Sequence, residues 1–230
     1  MNKYKAIILS LLISFMGASC EDWLYDNVNE DAAHEVLPQQ VLPVVLFYSA
    51  QLQFDHAEYG AYLTQTLTTG GRNQTSSFAY KSGWGDFLTM NRHPQWRRHF
   101  YDIGVNAKEI IDEAHEAQAW NLELIGRTLR LMSTQMTTDL FGDMPRSEAY
   151  ESNSPHYDTQ ESIYEWMNQE IEELIGMYED PTYTEAATNI PIDQSIDRVF
   201  AGDLNKWKHY TYALKARLLL RKLPNWENNA

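Results

Sequence analysis

Apolar side chains recur at helical spacing through much of this chain, and this periodicity restricts the possible fold more than any other feature. From Pro94 onward they recur every three or four residues along one helical face: Trp96, Phe100, Ile103, Ala107, Ile110 and Ala114. A second run ends at Gly142 and contains Leu122, Ile125, Leu129, Met132, Met136 and Leu140. Because only a few residues separate the two runs, the sequence predicts an antiparallel helical hairpin.

Helices are also predicted on either side of this hairpin. Pro38 is expected to open one helix, and a separate short piece is expected from about Glu58 to Leu67. Asp158 followed by Glu161 has the spacing of a capping box, and Asp203 is the predicted cap of the last helix. The sequence predicts no pair of strands, and it contains no recognisable repeat near the 34-residue length of tetratricopeptide repeats. The sequence therefore predicts an all-α fold built from helical hairpins.

The first residues have the layout of an export signal. Lys3 and Lys5 precede an apolar block from Ala6 to Phe15, and small residues then lead to Cys20, the only cysteine of the chain. Basic, apolar and small segments in this order are typical of a secretory signal peptide, and the block is too short for a membrane-spanning helix. The cleavage site resembles the lipobox of bacterial lipoproteins, although Gly17 stands where leucine is commoner.

We therefore predict three parts: a signal peptide at 1–19, a lipidated tether at 20–36 and one helical domain at 37–230. A lone thiol in an exported protein has no internal disulfide partner, and a lipid on Cys20 would cap it. A thioether lipid with a further acyl chain would hold the protein at a membrane without embedding it. An ordinary signal peptide with a chance cysteine is the alternative.

Charge and motifs exclude several classes of function. The net charge of −14 would repel a phosphate backbone, so we expect no nucleic-acid partner. His115 and Glu116 begin a zinc-protease motif whose second histidine is missing, and no nucleophile elbow is present. Asp139, Asp143 and Glu148 cluster around a predicted helix end. Glycoside hydrolysis needs two carboxylates at a set separation, so this cluster is a candidate for such a pair. Asp139 is expected on a solvated helical face, which argues against an active site there. We predict no catalytic residue, no metal and no cofactor.

Five segments, taken in order, carry a resemblance to a known family. They are CEDWLYDNVNEDAAHEVLPQQVLP, PQWRRHFYDIGVNAKEIIDEA, TTDLFGDMPRSEAY, HYDTQESIYEWMNQEIEEL and VFAGDLNKWKHYTYALKARLLLR. Together they resemble the SusD/RagB-type outer-membrane lipoproteins of Bacteroidetes, in particular the SusD-like branch described as starch-binding and outer-membrane associated. The resemblance spans essentially the whole of the chain after the leader.

The resemblance implies a scaffold of tetratricopeptide-like helix pairs that binds a nutrient, usually an oligosaccharide or polysaccharide, without cleaving it. It also implies a lipid-anchored position at the cell surface, over a TonB-dependent, SusC-like transporter of the outer membrane. Glu21 and Asp22, just after Cys20, are similar to the surface-export signal of such lipoproteins. Family members are commonly about twice this length, so we expect an incomplete fold, the N-terminal half of the family's, in a fragment or a truncated gene product.

Ligand contacts are expected in the loop-like segment 70–93, which is too long for a simple connection. Trp84 and Tyr80 would stack on sugar rings, and Asn73 and Arg72 would bond sugar hydroxyls. The alternative is that these aromatic rings fold back onto the helices. Other functions left open are binding of peptides or another nutrient, glycoside hydrolysis, and a helical adaptor for protein partners.

Overall fold

Helices make up most of the part of the chain that the computed structural model describes, which comprises residues 37–64, 66 and 94–222. In chain order they are α1 (Pro38–Leu63), α2 (Pro94–Arg97), a π-helical segment (Arg98–Val105), α3 (Asn106–Glu116), α4 (Trp120–Phe141), α5 (Gln160–Glu179), α6 (Pro181–Thr184) and α7 (Leu204–Lys222). Within these ranges no strand forms, and the only extended pairing is an isolated bridge between Met144 and Asp158. The predicted all-α fold class is confirmed.

The predicted hairpin is present between residues 94 and 141. From α2 to α3 the helix is continuous, and it turns at Ala117–Ala119 to return as α4. The two apolar faces meet in the core, where most of the predicted positions are buried: Ile103, Ala107, Ile110, Ala114, Leu122, Ile125, Leu129, Met132 and Met136. Burial of apolar surface stabilises a fold by roughly 25 cal/mol per Å². Burial of these two extended faces is therefore the main source of the hairpin's stability.

The π-helical segment at Arg98–Val105 lies inside the predicted helix and was not expected. A π-helix inserts residues into the helical turn, and such insertions occur often at functional sites. Here the segment buries polar side chains as well as apolar ones, among them His99 and Asp102. The apolar steps of three and four residues continue across it, so periodicity alone does not reveal it.

Helix α1 is one continuous element from Pro38 to Leu63, with Pro43 inside it. The prediction of a separate short helix from about Glu58 to Leu67 is therefore wrong. α1 packs against the π-helical segment, α3 and α4. Asp55 of α1 accepts a hydrogen bond from Arg98 Nε at 2.5 Å, which ties the two elements together by a charged contact.

The start of α5 differs from the prediction by one residue. Thr159, and not Asp158, is the N-cap, and its hydroxyl accepts the hydrogen bond of the Ser162 amide at 3.2 Å. Asp158 instead binds the amides of Arg146 and Ser147, both at 2.8 Å. The predicted capping box is therefore wrong, because the Asp158 carboxylate binds amides of the preceding loop and not those of α5. For α7 the prediction is confirmed, because Asp203 Oδ1 accepts from two amides of its first turn.

Helix α4 is buried along nearly its whole length and contacts α1, α3, α5 and α7. Polar side chains connect it to its neighbours inside the core. Thr128 of α4 lies 3.0 Å from the Tyr178 hydroxyl of α5 and 3.3 Å from the Thr211 hydroxyl of α7. Asn189, from the segment between α6 and α7, accepts the hydrogen bond of the Asn121 amide in the first turn of α4. These contacts fix α4 as the central helix of the bundle.

Candidate functional site

The predicted ligand residues Arg72, Asn73, Tyr80 and Trp84 lie outside the described residues, as does the predicted lipid site Cys20. Their roles stay predictions. The described part offers a different feature, a cleft of about 290 Å³ between the α3–α4 hairpin and the connection that follows α4. We refer to it as the Trp166 cleft, after the aromatic ring on its α5 side.

The inner side of the Trp166 cleft contains His99, which comes from the π-helical segment. Its imidazole is buried, and Nδ1 lies 2.8 Å from the Ser133 hydroxyl. Burial, together with the positive charge of Arg130, lowers the pKa of His99 to about 3. The ring is therefore neutral at physiological pH, and it contributes a polar group to the cleft without a charge.

Two arginines from different elements converge on the Trp166 ring. The guanidinium carbon of Arg146 lies 4.9 Å from the ring centre, and that of Arg130 lies 5.9 Å from it. A cation over an indole face is attracted by the ring quadrupole, so Trp166 can hold two like charges in one place. Burial lowers the pKa of Arg130, and the nearby Glu170 carboxylate partly offsets this.

The connection after α4 supplies Tyr150, which has a φ of +73°. Its hydroxyl fills the space that a side chain at Gly104 would occupy, so a glycine at this position of the π-helical segment lets the loop approach. Burial raises the pKa of Tyr150 to about 12, and Arg130 offsets this in part. At the rim, Lys108 pairs with Asp112 at 2.5 Å and with Glu151 at 3.2 Å.

A serine, a histidine and a carboxylate lie in line beside the cleft. His156 Nε2 is 3.3 Å from the Ser147 hydroxyl, and His156 Nδ1 is 2.9 Å from Glu148 Oε1. The hydrogen bond with Glu148 raises the pKa of His156. However, the Ser147 hydroxyl donates to Asp158 at 2.8 Å, and Asp158 also takes the amides that could have formed an oxyanion hole. The arrangement therefore fixes the loop and lacks the features of a nucleophilic site.

The three clustered carboxylates have separate structural partners. The expectation of a solvated Asp139 is wrong, since its side chain is 4% exposed and lies 3.1 Å from Arg221. The Tyr164 hydroxyl also donates to Asp139. Asp143 accepts the hydrogen bond of the Gln160 amide, in the first turn of α5, at 2.8 Å. Because each carboxylate is engaged elsewhere, they do not form the facing pair that glycoside hydrolysis needs.

Two further kinds of feature, a metal site and a membrane-spanning helix, are absent from the described ranges. No three histidine, cysteine, aspartate or glutamate side chains there come close enough to hold a metal ion. None of the helices described is long and apolar enough to span a bilayer.

Sequence reasoning did not identify the Trp166 cleft, because its residues come from distant parts of the chain. His99 precedes Tyr150 by about fifty positions and Trp166 by more than sixty. The signal that was available is Arg146, which stands within the TTDLFGDMPRSEAY segment. In the same segment, Gly142 is the C-cap of α4 and Asp143 binds the first amide of α5.

Comparisons with known proteins agree on one family. A SusD-like family model, described as starch-binding associating with outer membrane, matches residues 46–225. Among solved structures, a SusD/RagB family protein from Bacteroides thetaiotaomicron superposes with a TM-score of 0.61 at 23% identity. The match covers 81% of this chain and 38% of that chain, so it shows the fold, over little more than a third of the longer protein. No curated protein sequence matches.

Proposed function

Because the chain belongs to the SusD-like family of starch-binding proteins that associate with the outer membrane, we propose that it captures a glycan and delivers it to a partner TonB-dependent transporter. The observation that supports this most strongly is the extent of the family match, which includes nearly all of the described helices. The family consists of binding proteins, and the clustered carboxylates of this chain are occupied by structural contacts. The protein would therefore hold the glycan without cleaving it.

Attachment to the membrane is assigned to a lipid on Cys20, with Glu21 and Asp22 as the signal for the cell surface. The single cysteine after an apolar leader supports this assignment. Cells expressing the protein should incorporate labelled palmitate into it, and Cys20→Ala should abolish the label. Label retained in Cys20→Ala would exclude the thiol as the attachment point.

Transporter partnership is tested by co-purification from solubilised outer membranes.

Glycan contact is assigned first to the 70–93 segment, where Trp84 and Tyr80 would stack on sugar rings and Asn73 and Arg72 would bond hydroxyls. Affinity electrophoresis through gels containing different polysaccharides tests this. We expect one or more glycans to retard the wild-type protein, and Trp84→Ala and Tyr80→Ala to lose the retardation.

Tyr212→Ala is the matched control, because Tyr212 is 39% exposed and lies more than a hundred residues after the segment in sequence. It should migrate as the wild type does in every gel. Equal retardation of Trp84→Ala and the wild type would remove Trp84 from the binding site.

A further inference from the structure

We propose that the Trp166 cleft binds a carboxylate, and that the glycan captured by this protein therefore contains acidic sugars of the uronic acid type. The identity of the ligand as a sugar rests on the proposed function. The presence of an anion site is argued separately, from the donors, the charge and the size of the cleft.

The cleft contains a buried donor that has no acceptor and a second arginine whose carboxylate neighbour is distant. Arg146 Nε is buried and makes no hydrogen bond within the described part of the chain. The Arg130 guanidinium has one carboxylate oxygen near it, that of Glu170 at 4.0 Å, and Glu170 is already bound by Arg127 Nε at 2.8 Å. A buried donor left unpaired is destabilising, and more so when it is charged. An acceptor entering the cleft would remove this destabilisation.

The charge of the cleft is opposite to that of the chain. The chain carries −14 in total, but the cleft brings Arg130 and Arg146 together on one ring. The two carboxylates at the rim, Asp112 and Glu151, are both paired with Lys108. Glu170 and Asp158 lie near the arginines, but Arg127 binds Glu170, and backbone amides and the Ser147 hydroxyl bind Asp158. The residues that line the cleft carry more basic than acidic groups, so a small anion would be attracted to it inside an otherwise acidic protein.

The shape of the site favours a carboxylate on a ring over a free ion. A guanidinium presents its donors in a planar fork that matches the two oxygens of a carboxylate. The half-buried Trp166 ring, over which both guanidinium groups lie, holds these donors in place at the wall of the cleft. A volume of about 290 Å³ is at the lower end for ligand pockets, so one sugar unit fits and a longer chain must extend outside. Neutral His99 and the Tyr150 hydroxyl can bond the remaining oxygens.

Calorimetric titration with methyl glucuronoside and methyl galacturonoside tests the proposal. We expect at least one to bind, and the neutral methyl glucoside to bind at least tenfold more weakly. Arg146→Gln should weaken uronoside binding about tenfold or more, since a charge-assisted hydrogen bond is lost. Arg146→Lys, which keeps the charge without the fork, should fall between the two. Arg198→Gln is the control, because Arg198 is exposed and lies outside the cleft.

Thermal unfolding of each variant shows whether it is folded. A folded Arg146→Gln that binds as the wild type does would overturn the proposal. So would equal binding of uronoside and glucoside, or equal binding of inorganic phosphate, which would indicate an anion site without selection for a sugar. Retardation by neutral polysaccharides with no uronoside binding would overturn this inference and leave the proposed function standing. Uronoside binding lost in Arg146→Gln, with no polysaccharide retarding the protein, would support the cleft and contradict the proposed function.

Discussion

Asp197 has no exposed surface, and its carboxylate accepts hydrogen bonds from the Trp207 indole at 2.8 Å and from three backbone amides. It joins the segment before α7 to the first turns of that helix. Asp197→Ala would leave the buried Trp207 indole and three partly buried amides without this acceptor, so we expect the free energy of unfolding to fall by about 3 kcal/mol. Urea denaturation measures this.

Asp193→Ala is the control for this experiment. Asp193 is exposed and accepts hydrogen bonds only from Ser195 within its own turn. The free energy of unfolding should change little in this variant. Similar losses in the two variants would contradict the role assigned to Asp197.

His99 gives the protein a dependence on pH whose sign follows from burial. Its pKa is about 3 in the folded protein and near 6.5 when unfolded, so between these values the unfolded chain binds more protons. Stability therefore falls as the pH decreases below 6.5, and this residue should contribute a loss of about 2 kcal/mol between pH 8 and pH 5. His99→Gln should remove that part of the dependence. Urea denaturation at pH 8 and pH 5 measures this. An equal change in the free energy of unfolding between the two pH values in the wild type and in His99→Gln would contradict the prediction.

Single residues were the least predictable feature of this chain. Asp158 and Thr159 are both good N-caps, and the sequence does not show that Arg146 and Ser147 take Asp158. Asp139 was misplaced for the same reason, because its partner Tyr164 is twenty-five residues away. In each case a contact between distant residues decides among locally equivalent choices.

At the level of the elements, α4 and α5 are joined by the buried Arg127. Its guanidinium binds Glu170 through two hydrogen bonds of 2.8 and 3.0 Å and lies 3.3 Å from Glu123. Burial would lower the pKa of Arg127, but Glu170 and Glu173 outweigh it and raise the pKa. Arg127→Ala removes the two hydrogen bonds that hold the buried Glu170 carboxylate, so we expect a loss of about 3–5 kcal/mol in the free energy of unfolding.

Lys215→Ala is the matched control, since Lys215 pairs with Glu172 at 2.6 Å in a partly exposed contact between α7 and α5. Such surface pairs contribute at most about 1 kcal/mol. Chemical denaturation of both variants decides the point. An Arg127→Ala protein as stable as Lys215→Ala would show that the buried pair does not hold the helices together.

The close contact between the π-helical segment and the loop after α4 can be tested at Gly104. A side chain there would collide with the Tyr150 hydroxyl and the His99 carbonyl, so Gly104→Ala should destabilise the protein by about 1–3 kcal/mol. Gly176→Ala in α5 meets open space and should be neutral or stabilising by up to about 1 kcal/mol. Thermal melting compares the two. Equal melting temperatures would mean that the loop does not depend on the glycine.

Elements were predicted better than residues, because an apolar face is repeated over many positions. The α3–α4 hairpin, α5 and α7 all follow from steps of three and four residues. The π-helical segment was missed because its extra residue leaves these steps nearly unchanged. The division of α1 into two helices was wrong, since polar residues near Glu58 do not interrupt a helix that packs on the hairpin.

For the molecule as a whole, the sequence is enough to predict the all-α fold and the family, and both are confirmed. It is not enough to predict the Trp166 cleft, whose walls come from the π-helical segment, α3, α4, α5 and a loop. Helical periodicity reports which face is buried, but it does not report which polar residues of different elements meet. The expected ligand residues in the 70–93 segment stay a prediction, because they lie outside the described residues.

The central claim is that this protein holds a glycan and leaves it intact. Its most direct test is to incubate the protein with a polysaccharide that retards it in affinity gels, and to count reducing ends over time. The account predicts retention of the polysaccharide with no increase in reducing ends over a sample without protein. A steady increase that depends on the protein would contradict it.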